Sequence, residues 1–294
     1  TVAAVRYLIF NLLGSGLFLI GIIILYDITG HLLIPNIAES VTNLVANGEY
    51  PVPLLISASL ITLGLAVKSG LFPFCYWMPD TYGYATTASS SIISGIVSKI
   101  YIFTSIKMLY RVMGASYATQ SHITDVLFVF GLAGMIIGSL HAIREKNINR
   151  MVAFSSAAQI GYIYAAIGLG TEAGLAAAVF HMMTHALTKP LLFTAADGLI
   201  DAVGNRKDFA SLRGSAHLNR LAGIGHLVHD AVDDVTAALG KCGGGFVHDQ
   251  QFGVVVHALG DLDELAFLHV IVAGGQRRVD VGYADLFQCL AGFR

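Results

Sequence analysis

Long apolar runs separated by short polar stretches set the pattern of this chain. The first, residues 5–26 (VRYLIFNLLGSGLFLIGIIILY), exceeds the roughly 20 residues that cross a hydrocarbon core. It also carries Gly14, Ser15 and Gly16, small residues that let membrane helices approach closely. Residues 31–51 are more polar, contain Pro35 and Gly48, and predict an external loop with a short amphipathic helix over 37–45. A second run, 53–78, is interrupted between Gly70 and Pro73 and predicts a broken helix. Further helices are expected over 88–113, 125–143, 151–169 and 172–200. The pattern therefore predicts an all-α polytopic membrane protein of about six transmembrane helices.

Charge assigns the sides. The loop 144–150 (REKNINR) is basic, as is the stretch after the sixth run with Arg206, Lys207 and Arg213. Counting crossings puts both on the same face as Arg6, whereas the opposite loops offer only Arg111, so the positive-inside rule makes the basic face cytoplasmic. Lys107 and Arg111 are expected to snorkel at the far end of the third helix.

Past Gly223 the pattern breaks off. Residues 214–294 contain six of the eleven histidines and no apolar run of spanning length. The division expected is a transmembrane domain over 1–213, incomplete at both ends, followed by a linker and an atypical, irregular polar tail over 214–294. A frameshift, an assembly join or a foreign fusion would each produce such a join. His226 and His229 are close in sequence but lack the further ligands a metal site needs. The chain begins at Thr1, and its first apolar run is too long for a signal-peptide core, so a missing N-terminal part is expected rather than a cleaved leader.

Only 12% of residues are charged, against about 25% in soluble domains, which makes the few intramembrane charges informative. The net charge of −2 gives no cationic excess for tracking phosphates and argues against nucleic acid. Three scattered cysteines suggest neither a disulfide framework nor a metal motif.

Two lysines, Lys68 and Lys99, fall inside membrane-length sequence. A charge there costs at least about 2.5 kcal/mol, so such groups usually face a bundle interior or a hydrated path. Ser89, Ser90, Ser91, Ser94 and Ser98 make the helix of Lys99 unusually rich in hydroxyls. On the sixth helix His181, His185 and Lys189 recur at i, i+4 and i+8 and so share one face. Thr184 and Thr188 lie beside them, and Pro190 favours a kink that frees a backbone carbonyl. Histidine titrates near neutral pH, so the row reads as a proton relay. The weaker alternatives are a set of interhelical hydrogen-bonders or, for the two histidines, a metal site, which lacks the usual acidic neighbours. Asp80 and Asp197 fit capping or solvated carboxylates. Tyr82, Tyr84, Tyr101 and Tyr162 fit packing or interfacial aromatics.

At these residues the sequence resembles the antiporter-like membrane subunits of respiratory complex I, membrane-bound hydrogenases and Mrp-type sodium/proton antiporters. The matching segments are VKSGLFPFCYWMPDTYGYATTASS (67–90), SGIVSKIYIF (94–103), NINRMVAFSSAAQIGYI (147–163) and HMMTHALTKPLLF (181–193), with LRGSAHLNRLAG (212–223) similar to the family's next linker. The resemblance, over roughly 1–223, implies that Lys68 and Lys99 are central relay lysines continued by His181, His185 and Lys189. It also implies no cofactor of the chain's own, and other membrane subunits, the bilayer and protons as partners, with Na+ as a further candidate, in a prokaryotic plasma or inner membrane. Phe154 stands where the family usually has tyrosine, and Asn147 and Asn149 where charged residues are common. The family glutamate that pairs with the first lysine falls on a helix before Thr1, and the helix carrying the distal relay group is expected after Gly223. Both departures keep open a noncatalytic scaffold that only packs partner subunits.

Overall fold

The computed structural model describes residues 2–212; the expectations about the tail, including His226 and His229, lie outside them. Among the described residues every regular element is helical. Five stretches are long and apolar enough to cross a membrane: Val2–Thr29, Pro51–Tyr84, Thr87–Val112, Ile123–Arg144 and Ile148–Gly168.

The chain opens with α1 (Val2–Thr29), followed by α2 (Ile34–Asn47), the short helix expected in the first loop. α2 starts with Pro at its first turn and stops at Gly48, whose φ of 70° suits a left-handed helix end. Next, α3 (Pro51–Ser69) ends where Gly70 adopts φ 84°. A short 3-10 turn, Phe74–Tyr76, then leads into α4 (Trp77–Tyr84). This is the expected broken helix, and Gly70 is where the backbone needs a left-handed residue.

The third span differs from a plain helix. It consists of α5 (Thr87–Ile92), a π-helical segment Ile93–Val97, α6 (Ser98–Ile106) and a second π segment Lys107–Val112. α7 (Ala115–Gln120) leads into α8 (Ile123–Arg144), which packs along α9 (Ile148–Gly168). α10 (Glu172–Ala202) is a 31-residue helix, and α11 (Phe209–Leu212) closes the described chain. α10 occupies the place of the sixth crossing but does not meet the apolar standard of the other five, because its inward face is given over to His, Lys and Thr. It also runs through Pro190 within one helix. The Ala186 carbonyl that Pro190 leaves without an amide partner turns toward Gly95, where a Cβ would lie 3.2 Å from it.

α9 is the centre of the bundle, buried along almost its whole length. Its seam with α8 is built from glycines. A Cβ on Gly161 would fall 2.5 Å from Met135 N and 2.7 Å from the Gly131 carbonyl. α1 meets α3 in the same way through Gly14, Gly21 and Gly64. Close backbone approach of this kind replaces the hydrophobic drive that helices lack inside lipid.

One end of the bundle is tied by ions. Asp80 of α4 accepts hydrogen bonds from Arg6 of α1 and, at 2.5 Å, from Arg150 of α9, and Arg150 Nε donates to Glu145 at 3.0 Å. Asp80 is therefore an ion-pair hub rather than a helix cap. Lys207 Nζ donates to the Gly83 carbonyl, and Ile148 N to the Lys207 carbonyl, each at 3.0 Å. Beyond α10, Asp208 accepts from Ser211 Oγ and N, and these bonds hold its carboxyl below the usual range. These contacts gather Arg6, both basic loops and Asp80 at the same end, as the crossing count requires. Asp80→Asn should lower the detergent melting temperature by several degrees, since it weakens two partly buried pairs at once; an unchanged melting curve would show that the hub contributes nothing to stability.

Candidate functional site

The site is built on four elements: α3 carries Lys68, α6 carries Lys99, α10 carries His181, His185 and Lys189, and α9 lies against α10 with hydroxyl and amide groups facing the row. Lys68, the last lysine before the helix break, is half-buried. Its Nζ donates to Ser15 Oγ at 2.9 Å and stands 4.7 Å from the centroid of the Tyr101 ring. The sequence reading treated Ser15 as part of a small-residue contact and Tyr101 as a packing aromatic. In the fold both attend the ammonium group. Gly14 makes room for this arrangement, since a Cβ there would lie 2.6 Å from Lys68 Cγ.

A narrow cleft borders Lys68. It is lined by Asn11, Lys68, Ser98 and Tyr101 among others, and is on the order of one water molecule in size. Ser98, one of its lining residues, also contacts Lys99, whose Nζ donates to Ser98 Oγ at 3.3 Å and to the Ser94 carbonyl. Lys99 is 6% exposed. The π segment just before it matters here, because widened turns recur at functional sites where they re-aim backbone groups. The Ser94 carbonyl serves the lysine as well as the Ser98 hydroxyl, which donates to it at 3.1 Å. Ser94 Oγ in turn lies 3.3 Å from Ser156 Oγ of α9.

On α10 the three bases line the inward side, while Met183 and Leu187 between them are 62% and 70% exposed. His185 and Lys189 are buried, and His181 is half-buried. The His181 and His185 rings stack with centroids 6.5 Å apart and planes 19° apart. His181 Nε2 donates to Gln159 Oε1 at 2.5 Å, and its ring rests 5.8 Å from that of Tyr162. Lys189 Nζ donates to Ser155 Oγ at 2.7 Å. His185 lies within electrostatic reach of Lys99, Lys189 and His181. Among the described residues neither of its ring nitrogens has a hydrogen-bond partner.

Five basic side chains from three helices are thus brought toward one interior. Asp80 stands apart in its ion pairs at the basic end, and Asp197 is half-buried further along α10. Tyr82 is fully buried against Trp77 and Phe193, whereas Tyr84 is 74% exposed. Sequence reasoning passed over Ser155 and Gln159. Their spacing of one helical turn on a buried helix, facing a row with the same period, is the signal that would have found them.

A bundle of membrane helices holding lysines and histidines in its core, around a helix broken at mid-span, defines a polytopic membrane protein with a basic interior. The family described as NADH:quinone oxidoreductase/Mrp antiporter, TM, matches residues 1–228, and the chain belongs to it. It is 33% identical over 213 residues to NADH-quinone oxidoreductase subunit N of Desulforudis audaxviator (strain MP104C), a match covering 72% of this chain and 42% of that protein. It is 32% identical over 194 residues to NAD(P)H-quinone oxidoreductase subunit 5, chloroplastic, of Pelargonium hortorum, covering 66% of this chain and 25% of that one. The chain thus spans less than half the length of these relatives. Among solved structures it is similar to a chain of the membrane-bound sulfane sulfur reductase, an archaeal respiratory membrane complex. That match has a TM-score of 0.76 and 25% identity, over 99% of this chain and 61% of the other. It shares its fold with a chain of the Mrp complex from Dietzia sp. DQ12-45-1b, at a TM-score of 0.67 and 24% identity, over 93% of this chain and 50% of that one.

Proposed function

We propose that this chain carries protons across a prokaryotic plasma or inner membrane as one subunit of a larger membrane complex. Lys68, Lys99 and the row His181, His185 and Lys189 serve as its proton stations. The observation that carries this reading is the burial of Lys99, His185 and Lys189 within electrostatic reach of one another. Like charges that close disfavour simultaneous protonation, so a proton arriving at one station promotes release from the next. The cleft and Ser98 join Lys68 to this group. The stations move protons only; redox chemistry or an ion gradient elsewhere in the complex supplies the driving force.

The chemistry of the row favours H+ over Na+ as the species that moves along it. Alkali and alkaline-earth ions bind through oxygen ligands, with carboxylates prominent among them, whereas these five groups are nitrogen bases that become cationic when loaded. Proton flux in vesicles should therefore persist unchanged when Na+ is replaced by K+ or choline. A flux that vanishes without Na+ would overturn the assignment of the row to protons.

A further inference from the structure

α9 holds the two ends of the row on α10 with side-chain hydrogen bonds. Gln159 and Ser155 lie one helical turn apart on α9; the first accepts from His181 Nε2 at 2.5 Å and the second from Lys189 Nζ at 2.7 Å. His185, between them and 4% exposed, has no hydrogen-bond partner among the described residues. We propose that Gln159 and Ser155 are positioning residues of the relay: they fix His181 and Lys189 on either side of His185.

The inference rests on the relay reading and adds atoms and direction to it. An imidazole nitrogen that donates to an amide oxygen keeps its hydrogen, so His181 holds Nε2–H toward Gln159 and exchanges the relayed proton at Nδ1. No other bond forms or breaks, because one proton passes from His181 Nδ1 to His185 and then to Lys189, or in reverse. Ser155 Oγ accepts from the Lys189 ammonium and so stabilises its loaded form. The groups facing the row from its neighbours are Tyr162 of α9 against His181, and Lys99 of α6 beside His185.

The test is the pH profile of proton flux in inside-out vesicles holding the assembled complex. Gln159→Glu keeps the acceptor and adds a negative charge beside His181, which favours its loaded form, so the pH of half-maximal flux should rise by about one unit. Gln159→Leu and Ser155→Ala should each lower flux several-fold and move the midpoint the other way, and Ser155→Thr should restore it. Lys99→Ala in the same vesicles separates the two levels of the account. If flux survives Lys99→Ala, the relay itself is wrong. If Lys99→Ala stops flux while assembled Gln159→Glu and Ser155→Ala complexes keep the unaltered midpoint, the relay stands and the positioning roles are overturned.

Discussion

Replacing His185 by leucine is expected to leave the protein at least as stable as before while cutting proton flux by about 100-fold or more. The two halves of this expectation have separate causes. A buried polar group without a partner carries a desolvation cost of about 1–3 kcal/mol, and neither imidazole nitrogen of His185 has a protein partner among the described residues. Leucine, of similar bulk, removes the cost and retains the packing. The same change deletes the station between His181 and Lys189, and loss of a positioned proton carrier typically lowers a proton-transfer rate by about 10²–10⁴-fold. A melting curve in detergent and a flux assay on one preparation decide the matter. A structural histidine would give the opposite pattern, with stability lost and flux retained in the surviving folded fraction.

Gly161→Leu should prevent accumulation of the folded subunit altogether. Its Cβ would sit 2.5 Å from Met135 N and 2.9 Å from the Gly134 carbonyl carbon, and those are backbone atoms that cannot turn aside. α8 would have to withdraw from α9, opening the most buried seam of the bundle, and overpacking of this kind costs typically 1–3 kcal/mol or more. Gly16→Leu is the control, since a Cβ there meets nothing within 4 Å. Membrane levels measured by immunoblot should fall to near background for the first and stay near the unaltered level for the second. Equal levels for both would mean that the glycine seam does not hold the helices together.

The helices were legible because length and apolarity alone determine what can cross a membrane, and the break was legible because Gly70 and Pro73 interrupt an otherwise continuous run. Much of the site could be read for the same reason. A lysine or histidine in apolar sequence is conspicuous, and the i, i+4, i+8 spacing placed His181, His185 and Lys189 on one face before any coordinates. What escaped depends on packing between distant segments. The π segment at Ile93–Val97 lies where α10 presses on Gly95 through Pro190, whose Cγ would meet a Cβ placed on that glycine. The sequence of residues 93–97 reads as ordinary helix. Ser155 and Gln159 carry no charge and so did not stand out from other small or polar residues of a membrane helix. The role of Asp80 was hidden because its partners, Arg6 and Arg150, lie 74 and 70 positions away.

The central claim is that protons cross the membrane through the lysines of α3 and α6 and the row on α10. Its most direct test is the rate at which an imposed pH gradient decays across sealed vesicles containing the assembled complex, with and without Lys68→Ala and Lys99→Ala. The account predicts rapid decay with the unaltered chain and decay at the rate of protein-free vesicles when both lysines are replaced. Rapid decay that persists in the double variant, with the complex intact, would contradict it.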